Sequence, residues 1–155
     1  MSTRALLVLI AAFATASCGG GDYEFPTEIQ IAGKQVRVAA SINRDFSPRI
    51  IIGNVIPPTC IDLTVIGMFS ATPPPMPAGV TPIDAQIYDG QVLVWSGPIV
   101  SSETSVMGNE LRAVARGCAP EGFPANHVLT VVFKLSDGAT GLILADREVA
   151  ATESS

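Results

Sequence analysis

One histidine and three cysteines, at positions 18, 60 and 118, are the scarce reactive groups of this 155-residue chain, alongside scattered carboxylates. His127 stands directly before an apolar run that ends at Leu135. To act as a general base it would need a nucleophile and an orienting acid, and no Gly-x-Ser-x-Gly elbow or comparable signature supplies them. It reads as a surface residue at a strand end. One imidazole and no Asp-x-Asp-x-Asp-Gly loop leave no ligand set, so the sequence calls for no metal and no cofactor. Carboxylates such as Asp62 and Asp84 could meet across a cleft as a glycosidase pair. No substrate-gripping groups mark such a cleft, so no catalytic residue is assigned and a hydrolase is the lesser reading. Gly19 to Gly21 opens no helix and makes no phosphate cradle.

Recognition has a better candidate in Tyr88, Leu93 and Trp95. Asp89-Gly90 between two alternating runs is the signature of a two-residue hairpin turn. A turn centred on Asp89-Gly90 pairs Ile87 with Val92 and Ala85 with Val94 on one face. Gln86 with Leu93 and Asp84 with Trp95 share the other, together with Tyr88. A strand that is apolar on both faces either lies between layers or carries an exposed patch. Aromatic anchors on such a patch suit a partner surface. The competing expectation is that the Pro-rich stretch 72–82 folds over Trp95 and buries it.

The surrounding elements read as strands. After Pro26 the apolar residues alternate with period two, at Ile29 and Ile31, Val36 and Val38, then Ile61, Leu63 and Val65. Ile50 to Ile56 is a short apolar run ended by Pro57-Pro58. Five prolines in residues 72–82 exclude a central strand or helix there and predict a stiff, partly polyproline II connection. Thr104 to Cys118 alternates weakly. His127 to Leu135 is the clearest strand, and a loop at Asp137-Gly138 leads into Leu142 to Val149. The polar tail, 151–155, is expected to fray.

Composition narrows the function classes. Charged residues are 15% of the chain, while 14 Gly and 12 Pro favour many short strands and turns. Arg4 is the one charge in residues 1–17, which leaves 8 basic against 14 acidic side chains beyond it. No basic stripe exists, which argues against nucleic acid or anionic lipid bound through charge.

The N-terminus carries an address. Arg4 precedes an apolar run, Ala5 to Ala16, about a dozen residues long and too short to span a bilayer. Thr15-Ala16-Ser17-Cys18 follows, then the glycine run. This resembles the lipobox of bacterial lipoproteins, with Thr15 where the family usually has Leu. The resemblance implies removal of residues 1–17, lipidation of Cys18 and a tether over 18–26. It also implies a bacterial cell envelope location on the outer membrane facing the periplasm, because Gly follows the Cys. Ala14-Thr15-Ala16 equally satisfies ordinary signal cleavage before Ser17, which would release a soluble secreted protein. Lipidating Cys18 makes the odd cysteine count even, so Cys60 and Cys118 can form a disulfide in an oxidising compartment. The alternative is two buried free thiols.

Residues 27–150 also resemble immunoglobulin-like envelope domains in strand spacing and in having two well-separated cysteines. That resemblance implies an all-β fold, an antiparallel β-sandwich, although no Trp follows Cys60 at the family's short spacing, the single Trp being Trp95, and Arg116 stands two residues before Cys118 where the family has its corner Tyr. Strand phase places Cys60 with Asp62 and Thr64, and Cys118 with Arg112 and Arg116, opposite the apolar positions. The disulfide should therefore clamp strand ends or an outer surface. The expected function is a monomeric, membrane-anchored binding or structural module with an envelope protein partner. The alternative is a periplasmic inhibitor or chaperone-like accessory protein, which would offer loops or a sheet edge near Val128 to Leu135.

Overall fold

A computed structural model describes residues 24–46, 49–51, 54–56 and 60–154. Cys18 and the expected leader lie outside the described residues. No described residue is helical, in keeping with the all-β expectation. The strands are β1 (Glu28–Ile31), β2 (Lys34–Asp45), β3 (Arg49–Ile51), β4 (Asn54–Ile56), β5 (Ile61–Thr72), β6 (Thr81–Asp89), β7 (Val92–Thr104), β8 (Glu110–Ala119), β9 (Val128–Ser136) and β10 (Gly141–Ser154). The expected single run from Ile50 is thus the small β3–β4 hairpin.

The architecture corrects the sandwich expectation. β2, β10, β9, β6, β7, β8 and β5 hydrogen-bond in that order, and β5 pairs back onto β2, so seven strands close into a barrel. Two pairings on β2 achieve this. Along one edge it lies antiparallel to β5 from Gln35↔Thr72 to Asp45↔Asp62. Along the other it meets β1 and then, in parallel, the last residues of β10, from Ala151↔Ile42 to Ser154↔Asp45. Residues 151–154, read as a polar tail, are therefore the closing segment. Thr152 Oγ1 donates to Ile42 O at 3.0 Å and Phe46 N donates to Ser154 O at 3.1 Å, which fixes the seam.

One face of every barrel strand points inward, and these side chains fill the interior. Leu63, Val65 and Phe69 of β5, Ile42 of β2, Ile87 of β6, Leu129, Val131, Phe133 and Leu135 of β9, and Leu144 of β10 are fully buried. Below Leu111, β8 contributes small residues there, Ala113, Ala115 and Gly117, and the Trp95 ring lies against Gly117. Phe133 lies so close to Gly67 that a Cβ at that position would sit 2.5 Å from its ring. Its edge also meets Phe69 at a centroid distance of 5.1 Å. The interior is a packed core rather than a ligand chamber.

The two ends differ. The apical end carries the Ala32-Gly33 turn, the Pro-rich β5–β6 loop, the β7–β8 turn and the 137–140 loop. The Pro-rich loop contains cis bonds at Thr72–Pro73 and Pro74–Pro75, bends over 73–75 and turns at Ala78-Gly79. Its Met76 side chain is buried at the apical mouth. The basal end carries the β6–β7 hairpin, the loop before β9 and the β10 terminus. Arg44 is buried there, with its guanidinium 4.8 Å from the Phe46 ring, 5.6 Å from the Phe123 ring and 2.8 Å from Glu153.

Candidate functional site

The β6–β7 hairpin exists, but its register differs from the expected one. Asp89 pairs with Val92 and Tyr88 with Leu93, so the two-residue loop is Gly90-Gln91. Gly90 has φ +59°, and a glycine leading the loop is what a type II′ turn requires. A bulge at Val94 then shifts the pairing, so that Ile87 faces Trp95 and Ala85 faces Gly97. The bulge turns Trp95 to the inside.

Trp95 is 7% exposed and lies against the backbone of Gly97 and Gly117, where a Cβ would meet its ring at 2.6 and 3.2 Å. Its Nε1 donates to Cys118 O at 3.1 Å. β7 pairs with β8 only from Ile99 onward, so the indole spans the stretch of β8 that β7 does not reach. A comparable device sits at the opposite seam, where Asp146 at a bulge of β10 accepts from Ala40 N of β2 at 2.8 Å. Trp95 therefore belongs to barrel closure, and it is the barrel wall, not the Pro-rich loop, that covers it. Tyr88 does face outward, but Phe25 of the N-terminal segment packs on it at 4.8 Å between ring centroids. Of the three expected surface residues only Leu93 is exposed.

The other reactive residues are dispersed. Cys60 and Cys118 form a disulfide with a Cα–Cα distance of 5.6 Å. It joins the basal ends of β5 and β8 on the outer wall, where Cys118 is exposed, as the strand phase predicts. His127 Nδ1 lies 2.8 Å from Asp89 Oδ2 and its side chain is 60% exposed. Among the described residues no hydroxyl is seen hydrogen-bonded to that imidazole. Asp84 lies 3.3 Å from Lys134 on the β6–β9 wall, whereas Asp62 is on β5, three strands away around the barrel. The two carboxylates do not meet.

Two further surface features bear on function. One is a groove of about 680 Å³ beside the disulfide, lined by Asn43, Asp45, Asp62, Leu63, Thr64 and Arg116. The other is the β7–β8 turn, which the sequence reasoning missed. Val106 is fully exposed and Met107 80% exposed at its tip. Ser105 organises the turn: its carbonyl accepts from Gly108 N at 2.7 Å and its hydroxyl accepts from Asn109 N and Glu110 N. Gly108 O in turn accepts from Met76 N at 2.8 Å, which docks the turn on the Pro-rich loop. Two consecutive apolar residues between the turn formers Ser105, Gly108 and Asn109 were the available signal. No family model, curated protein or solved structure matches the chain.

Proposed function

We propose that this chain is a bacterial envelope lipoprotein whose barrel is a binding or structural module that offers its apical rim to a protein partner. Cys18 is the acylated residue in this reading, and the glycine after it directs the protein to the outer membrane facing the periplasm. The observation that carries the binding role is the Val106-Met107 turn. Two aliphatic side chains on a hydrogen-bonded turn suit an apolar cleft on another protein. Strand addition, the chaperone-like alternative, has no support near Val128 to Leu135, because β9 is paired with β10 and β6 on its two edges.

Mass spectrometry of the mature protein tests the anchor, with an acylated Cys18 expected and an unmodified Ser17 terminus refuting it. A photo-crosslinking side chain at Met107 tests the rim in intact envelopes. One discrete adduct, absent when the probe is moved to Ser96, is expected. Equal labelling from both positions removes the rim from the reading.

A further inference from the structure

The N-terminal segment does not leave the barrel at random. Ala145 N donates to Pro26 O at 2.8 Å, Arg147 donates to Phe25 O and pairs with Glu24, and Phe25 packs on Tyr88. These contacts pin residues 24–26 to the outer wall of β10, β9 and β6. They also run the chain from Glu28 back toward the basal end, away from the Val106-Met107 turn. The same wall carries exposed aliphatic residues at that end. Leu93 is the cross-strand neighbour of Tyr88, and Val128 lies two residues below Thr130, which pairs with Tyr88 on its other side. Val92 closes the hairpin beside them. Their exposures are 48% for Leu93, 66% for Val128 and 64% for Val92.

Six residue steps separate Cys18 from Glu24, and at full extension they span about 20 Å. A lipid at Cys18 therefore confines this basal rim to the neighbourhood of the membrane surface, whatever the path of the tether. We infer that Val92, Leu93 and Val128 seat on the phospholipid surface that receives the Cys18 acyl chains, and that this seating points Val106 and Met107 away from the bilayer. The inference rests on the lipid anchor proposed above. The contact is apolar, because the charged groups near the rim are mixed in sign, with Glu24 paired to Arg147 and Asp89 against His127, and form no basic patch for anionic headgroups.

The test uses the full lipidated chain in vesicles of phosphatidylethanolamine and phosphatidylglycerol containing a headgroup spin label. Methyl resonances of Val92, Leu93 and Val128 should lose intensity several-fold relative to those of Val106 and Met107. High salt should leave the difference intact, since the contact is not Coulombic. The double substitution Leu93→Ser and Val128→Ser, at two exposed positions, should abolish the difference while the protein still floats with the vesicles. A chain that does not float refutes the anchor and the seating together. Flotation with equal attenuation at both ends, or stronger attenuation at the apical end, refutes the seating alone.

Discussion

Trp95 decides between the expected surface patch and the observed barrel seam, and its removal has a calculable consequence. An indole with 7% of its surface exposed has withdrawn about 200 Å² from water. At about 25 cal/mol per Å² that burial is worth about 5 kcal/mol, an upper figure because the unfolded chain is already partly compact. Truncations of this kind measured in other cores cost about 3–5 kcal/mol. Trp95→Ala should therefore lose about 4 kcal/mol, a large part of the roughly 5–15 kcal/mol that holds a domain together. Trp95→Phe keeps much of the packing but leaves Cys118 O without its indole donor. That carbonyl belongs to an exposed residue and can recruit water, so the cost should be nearer 1–2 kcal/mol. Urea unfolding followed by far-UV circular dichroism measures both, since the variants lack the only tryptophan. With a slope of about 2 kcal/mol per molar, Trp95→Ala should lower the midpoint by about 2 M. The native protein should show blue-shifted emission that a soluble quencher does not reach. Red-shifted, quenchable emission with a midpoint shift below about 0.5 M would refute the bulge at Val94 and restore the patch.

Four further outcomes follow from the packing. Gly67→Ala should cost about 1–3 kcal/mol in thermal or chemical unfolding, because its Cβ would sit 2.5 Å from the Phe133 ring. Phe133→Leu in the same chain should recover part of that loss, a coupling that a double-mutant cycle detects. Deleting residues 151–155 removes the parallel seam with β2 and should lower stability by about 3–5 kcal/mol, at about 1 kcal/mol per ladder or side-chain hydrogen bond lost. Replacing Cys60 and Cys118 by Ser frees a loop with a sequence separation of 58 and should cost about 4 kcal/mol on the chain-entropy model, read as the difference between oxidised wild type and the double variant. Asp137 accepts backbone N–H bonds from Ala139 and Thr140, which hold its carboxyl below the usual 3.8. Its contribution to stability is complete above the ordinary value and lost as pH falls through the lowered one. The gap between wild type and Asp137→Ala should therefore close in acid unfolding curves only below about pH 4.

Some of this fold was legible in the chain and some was not, for physical reasons. Alternation located β9, the strand of Leu63 and Val65, and the existence of the β6–β7 hairpin. It also placed the cysteines on outward faces, because phase along an unbroken strand is reliable. Phase failed at Val92-Leu93-Val94, where three aliphatic residues in succession carry no information about which one bulges. The turn at Gly90 was misplaced by one residue for a related reason. Asp-Gly suits a loop of those two residues, but glycine also leads a loop of Gly90-Gln91, and only long-range packing of Trp95 chooses. Closure was hidden more deeply. The segment Ala151–Ser154 looked like a solvated tail, because a seam strand can be held through backbone and hydroxyl bonds rather than apolar burial. Its partner β2 lies more than 100 residues earlier, beyond the range of any local signal.

The barrel also changes what kind of surface could have been found. In a sandwich, an apolar residue on the second face of a strand must be covered by another layer or exposed, and Trp95 fell under that choice. A barrel offers a third place, a seam between strands that have parted, and both seams here are bridged by one side chain, Trp95 at β7–β8 and Asp146 at β10–β2. Residues assigned to such seams are removed from the list of possible contacts with partners. What is left on the outside separates by place: the disulfide braces the basal ends of β5 and β8, the N-terminal segment is pinned on the opposite wall over β10 and β6, and Val106 and Met107 project at the apical end. On the proposed rim-binding reading, substitutions at that turn report on recognition with little interference from folding, a separation that the expected patch around Trp95 could not have provided.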